Sequence, residues 1–162
     1  MSRTALARTL RAVSSLYLLV GLVWATAAWA AVDAPGRLLF DLLDWPLDGV
    51  PAELGRSARW ASAVGAGLLV GLSLVMSLVV APELERGNRT VARGTVIALL
   101  GWFVVDGAGS IASGVTSNAL FNVPFLLGWL VPVLLLARRD GGPRAQDAAT
   151  AANQAAVSSS SA

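Results

Sequence analysis

The sequence predicts an all-α integral membrane protein, a bundle of four transmembrane helices with a short amphipathic segment in the first outer loop. Three observations predict it. The 162-residue chain is 56% hydrophobic and only 14% charged, far from the average of soluble domains. Its apolar residues gather into four runs of roughly 18–23 residues, each long enough to cross a hydrocarbon core of about 30 Å. Those runs also lack the polar face at helical period that a soluble helix carries.

What the composition excludes is as informative as what it contains. All twelve basic residues are arginine, and there is no lysine, histidine or cysteine. Haem b ligation, thiolate metal sites and Cys or Ser–His nucleophiles therefore have no residues to use. A retinal-type Schiff base and a Ser–Lys dyad are excluded in the same way. No metal and no cofactor is expected. The net charge of +2 is too small and too dispersed for nucleic-acid binding. Arginine without lysine points to a GC-rich, bacterial genome.

The basic N-terminus, residues 1–11, precedes a first span over residues 12–32. Ala28-Trp29-Ala30 fits a small-x-small cleavage pattern, but the run exceeds the usual signal-peptide core of about 7–15 residues, which favours an uncleaved helix. Trp24 and Trp29 suit its interfacial end. The acidic connection that follows holds Leu38, Leu39, Leu42 and Leu43 at helical spacing opposite Asp41 and Asp44, an amphipathic helix lying on the outer surface. Trp45-Pro46 ends it.

The second span covers residues 57–80, and Pro82 is expected to stop it. Ala63, Gly67 and Gly71, four apart, form a small-residue stripe against which another helix can pack closely. The third span covers residues 91–113, with Thr90 as its cap; the glycosylation triplet Asn88-Arg89-Thr90 is discarded because it falls on the inner side. A turn over residues 114–118 leads to the fourth span, residues 118–137, which Pro124 and Pro132 should kink. The tail, residues 138–162, reads as disordered and cytoplasmic, since Gly, Pro, Ala, Gln and Ser dominate it. Nine arginines flank one side of these spans and three the other, so both termini are assigned to the cytoplasm of an inner (plasma) membrane.

One candidate site emerges. Asp106 lies thirteen residues past Arg93, about 12 Å below the outer turn at 1.5 Å per residue. A lone charge at membrane depth costs at least about 2.5–3.5 kcal/mol, so it needs a proton or partners. Ser110 and Ser113 follow on the same helical face, and Asn118 and Asn122 share a face on the returning helix, Asn122 level with Ser110. Arg59, at the outer start of the second span, is the arginine placed to snorkel towards the cluster. Gly107-x-Gly109-x-x-Ala112 imitates a dinucleotide fingerprint but lacks the surrounding βαβ unit. An aspartyl intramembrane protease would need a second membrane aspartate.

In size and layout the chain resembles several small four-helix bacterial membrane families, DoxX-like proteins among them, although no family motif carries residues over. The leading expectation is a small structural or interaction protein without catalytic machinery, its partners being membrane lipid and a second copy or another membrane protein. The alternative is a proton- or cation-coupled transporter using Asp106. A lipid- or quinone-modifying enzyme ranks last, for want of reactive side chains.

Overall fold

The computed structural model describes residues 2–49 and 51–138; Arg138, expected to open the disordered tail, is the last residue of a helix, and the rest of the predicted tail lies outside the described residues. Every regular element among those residues is helical, without strands, and four helical stretches are long and apolar enough to cross a membrane. The first helix, α1 (Arg3–Ala25), runs on into a 3-10 turn, Thr26–Ala28. Then come α2 (Ala34–Leu43), α3 (Arg56–Val75), a π turn (Met76–Val80) leading into α4 (Ala81–Glu85), α5 (Arg89–Ala112) and α6 (Thr116–Arg138).

Several boundaries depart from the sequence reading. Helix α1 starts at Arg3 rather than near residue 12. Ser2 caps it, its side chain accepting from the Ala5 amide, and Leu6, Ala7 and Leu10 are buried in the bundle. Packing, rather than hydropathy, sets that end.

Pro82 does not stop the second span. The helix passes through it to Glu85, and the π turn immediately before it absorbs the misfit. A proline removes an amide donor and crowds the carbonyl four residues back, and a wider turn relieves both.

The cap of α5 is Asn88, not Thr90: the Asn88 side chain accepts from the amides of Thr90 (3.1 Å) and Val91 (3.2 Å). Both connections at the ends of α4 and α5 are glycine-closed. Gly87 (φ 85°) and Gly114 (φ 86°) take the left-handed conformation. The amides of Asn88 and Val115 then reach back to the Glu83 and Ser110 carbonyls at 3.0 and 2.9 Å. This is the Schellman arrangement, which glycine makes without strain. The α5–α6 turn is therefore shorter than expected, and α6 is already helical at Thr116.

The helices pack in the order α3, α1, α6, α5. Helix α1 is central, and among the described residues α3 touches neither α5 nor α6. Only the π turn and α4, at the other end, reach across to them. That end is closed by an apolar core of Leu6, Leu10, Val80, Leu84, Val133 and Leu136. Farther along α1, Tyr17 stacks on Phe125 (4.4 Å between ring centres), meets Trp129 edge-on (4.8 Å), and donates to the Pro124 carbonyl (3.0 Å). Gly128 lies directly beneath the Tyr17 hydroxyl, where a Cβ would collide. Trp129 donates its indole N–H to Ser14 (3.1 Å), and Ser14 in turn donates to the Leu10 carbonyl (2.8 Å).

The Ala63/Gly67/Gly71 stripe does not serve this internal packing. All three are exposed, and a Cβ at Gly67 or Gly71 would meet nothing within 4 Å. The buried face of α3 carries Ser62, Ala66 and Ser73 instead, and α1 fits it closely, with Trp24 seated on Gly65 and Gly21 on Val70. Trp24, expected at the interface, is thus a packing residue.

Candidate functional site

The α5–α6 hairpin brings Asp106, Ser110, Asn118 and Asn122 together. Asn122 Nδ2 donates to Asp106 Oδ2. Asn118 Nδ2 donates to Ser110 Oγ at 2.7 Å and reaches Asp106 Oδ2 at 3.5 Å. Ser110 and Asn122 are buried, Asp106 and Asn118 half-buried. The register differs by one turn from the sequence reading, since Asn118 and not Asn122 is level with Ser110. The cause is the short glycine-closed turn, which starts α6 early.

Two predicted members stand apart. Ser113 shares the face of Asp106, but it is exposed and its hydroxyl bonds back to the Gly109 carbonyl (2.6 Å). It lies at the very end of α5, above the first turn of α6, with Asn118 already engaged one turn deeper.

Arg59 turns away from Asp106 altogether. Its guanidinium forks onto Asp33 Oδ2 (2.7 Å), the Leu54 carbonyl (3.0 Å) and the Ala27 carbonyl (3.3 Å). Asp33 is the residue that sequence reasoning missed. It is buried, and its other oxygen pairs with Arg37 Nε at 3.0 Å. This second cluster ties together the end of α1, the start of α2 and the start of α3. A signal for it was present, because Asp33 precedes Ala34-Pro35, a helix-start pattern that also sets Arg37 four residues on.

Asp41 also departs from expectation. It is buried rather than part of an outward polar face, and its carboxylate accepts from the amides of Asp48 (3.0 Å) and Gly49 (3.1 Å). Leu38 and Trp45 remain exposed. The segment is fastened at both ends. Gly36 abuts Ala27, whose backbone nitrogen would lie 2.6 Å from an added Cβ, and the Leu43 carbonyl accepts from Ser117 of α6 (2.6 Å). A shallow apolar depression of about 280 Å³, lined by Trp45, Ser117, Leu120 and Phe121, lies beside that last contact.

The arrangement around Asp106 is chemically modest. It consists of one carboxylate, two amides and a hydroxyl joining two adjacent helices. Fold and site together define a multi-pass helical protein with four candidate membrane spans and an interhelical polar clasp. Scans against protein-family models, curated proteins and solved structures find no match to the chain.

Proposed function

We propose that the protein is a small multi-pass inner-membrane protein of bacterial type with a structural or interaction role, both termini cytoplasmic and no catalytic machinery. The observation that carries the reading is the clasp itself: Asp106 is engaged by the neutral amides of Asn122 and Asn118 from the neighbouring helix. Such bonds hold membrane helices together at about 0.6–2 kcal/mol each and need no solute. The exposed Ala63/Gly67/Gly71 face supports the interaction part, since small residues let a second membrane helix approach closely.

The test is reconstitution into liposomes under a proton or sodium gradient. The expected outcome is no flux above that of protein-free liposomes, for the natural chain and for Asp106→Asn alike. A flux that the natural chain supports and Asp106→Asn abolishes would replace this reading with the alternative, a small proton- or cation-coupled transporter. That alternative rests on Asp106 being half-buried rather than sealed, and on the tendency of intramembrane carboxylates to be functional.

A further inference from the structure

We infer that the closed end of the bundle carries a belt of arginines that binds the headgroups of anionic phospholipids. The inference rests on the membrane reading above and adds a ligand class to it. The two ends of the bundle differ in charge. Among the described residues, seven arginines and two glutamates lie at the end formed by the start of α1, the α4–α5 connection and the end of α6. The opposite end has three arginines against five carboxylates.

At the arginine-rich end the two glutamates are already occupied. Glu83 accepts from Arg86 (2.6 Å) and Asn88 (3.0 Å), and Glu85 pairs with Arg11 (3.2 Å). Arg8, Arg93 and Arg138 are exposed, on three different helices, and among the described residues no carboxylate pairs with them.

Their depth suits headgroups. Counting along the antiparallel helices from the Trp129–Ser14 and Asn122–Asp106 bonds sets Arg8 and Arg93 at one height, about level with Leu135 at equal rise per residue. From Arg93 to Ala112, α5 rises about 28 Å, close to a hydrocarbon core of about 30 Å. When the outer end of α5 meets one boundary, Arg8 and Arg93 meet the other, with Arg138 one turn beyond. Guanidinium groups at that depth extend their charge to the phosphates while their stems stay in the apolar layer.

The full-length chain in nanodiscs of mixed phosphatidylcholine and phosphatidylglycerol tests this, with the co-purifying lipid counted by native mass spectrometry. The natural chain should retain phosphatidylglycerol preferentially. Each of Arg8→Gln, Arg93→Gln and Arg138→Gln should weaken that preference by about fivefold, and the corresponding lysine variants should restore most of it. No preference in the natural chain, or an undiminished one in the triple glutamine variant, overturns the proposal; the single variants carry the same comparison if the triple fails to fold. A chain that does not enter the bilayer removes the membrane reading and the belt together, whereas entry without preference removes the belt alone.

Discussion

The two ends of this bundle are held by different physics. At the closed end, α1, α4 and α6 converge on Leu6, Leu10, Leu84 and Leu136, none more than 2% exposed. At the other end α3 stands off from α5 and α6, and polar ties fasten neighbouring segments to one another: Asp33 with Arg59 and Arg37, Asp41 with the 48–49 backbone, Ser117 with Leu43, and Asp106 with the α6 amides. Apolar packing is forgiving in detail and strong in sum. Polar ties are specific, and each depends on both partners being present. The difference predicts which substitutions loosen the whole molecule and which loosen one end.

The largest effect belongs to the closed end. Leu10 is wholly buried between α1 and its neighbours, so Leu10→Ala leaves a cavity and should cost about 2–4 kcal/mol. Reversible unfolding in mixed micelles, followed by tryptophan fluorescence, measures it. A cost below 1 kcal/mol would mean that this end is not packed as described.

Next comes the Asp33 tie. Asp33→Ala leaves Arg59 and Arg37 without their carboxylate. Breaking a fully buried pair costs about 3–5 kcal/mol, and the partial exposure of both guanidiniums lowers the expectation to about 2–3 kcal/mol. The loss should be local. Hydrogen exchange should rise in α2 and at the start of α3, while the amides around Leu84 stay protected. Uniform loss of protection would contradict the division between the ends.

These two effects also separate what could be read in the sequence from what could not. The four long apolar helices are legible in the sequence because hydropathy sums apolar character over some twenty residues at once. The early start of α1 is not, because residues 3–11 look like a charged flank until Leu6 and Leu10 are seen to meet Leu84 and Leu136. That Asp106, Ser110, Asn118 and Asn122 gather on one hairpin is legible because a tight turn makes them nearly local, but which asparagine meets Asp106 is not, because the register hinges on how Gly114 closes the turn. The carboxylate that Arg59 pairs with is Asp33, not Asp106. Depth alone allowed Asp106, and only the packing of α2 against the end of α1 brings Asp33 within 2.7 Å. Likewise the face a small-residue stripe presents cannot be known until the neighbours of α3 are placed.

The Asp106 clasp should be weaker than the Asp33 tie, because its partners are neutral and lie within one hairpin. Asp106→Ala should cost about 1–2 kcal/mol. A double-mutant cycle with Asn122→Ala should show coupling of about 1 kcal/mol, whereas cycles with Ser113→Ala or Arg59→Ala should be additive to within about 0.5 kcal/mol. Coupling to Arg59 would restore the single outer cluster that the sequence suggests, and would mean that the guanidinium leaves Asp33.

The smallest effect is expected on the outward face of α3. Gly67→Ala and Gly71→Ala add a Cβ into open space on a helix, so in the monomer they should be neutral or stabilising by about 0.5–1 kcal/mol. Gly67→Leu with Gly71→Leu should also leave monomer unfolding nearly unchanged, since among the described residues no other helix lies opposite. The same double substitution has a second reading in the membrane. If a second helix approaches along the Ala63/Gly67/Gly71 face, leucines there hold it off and the crosslinked dimer fraction falls while monomer stability is kept. A dimer fraction indifferent to both leucines would leave the face to lipid, and the interaction role would then need a different surface. The two measurements have to be made together. Loss of the dimer alongside loss of monomer stability would instead show that the stripe packs inside the chain, against the arrangement α3, α1, α6, α5.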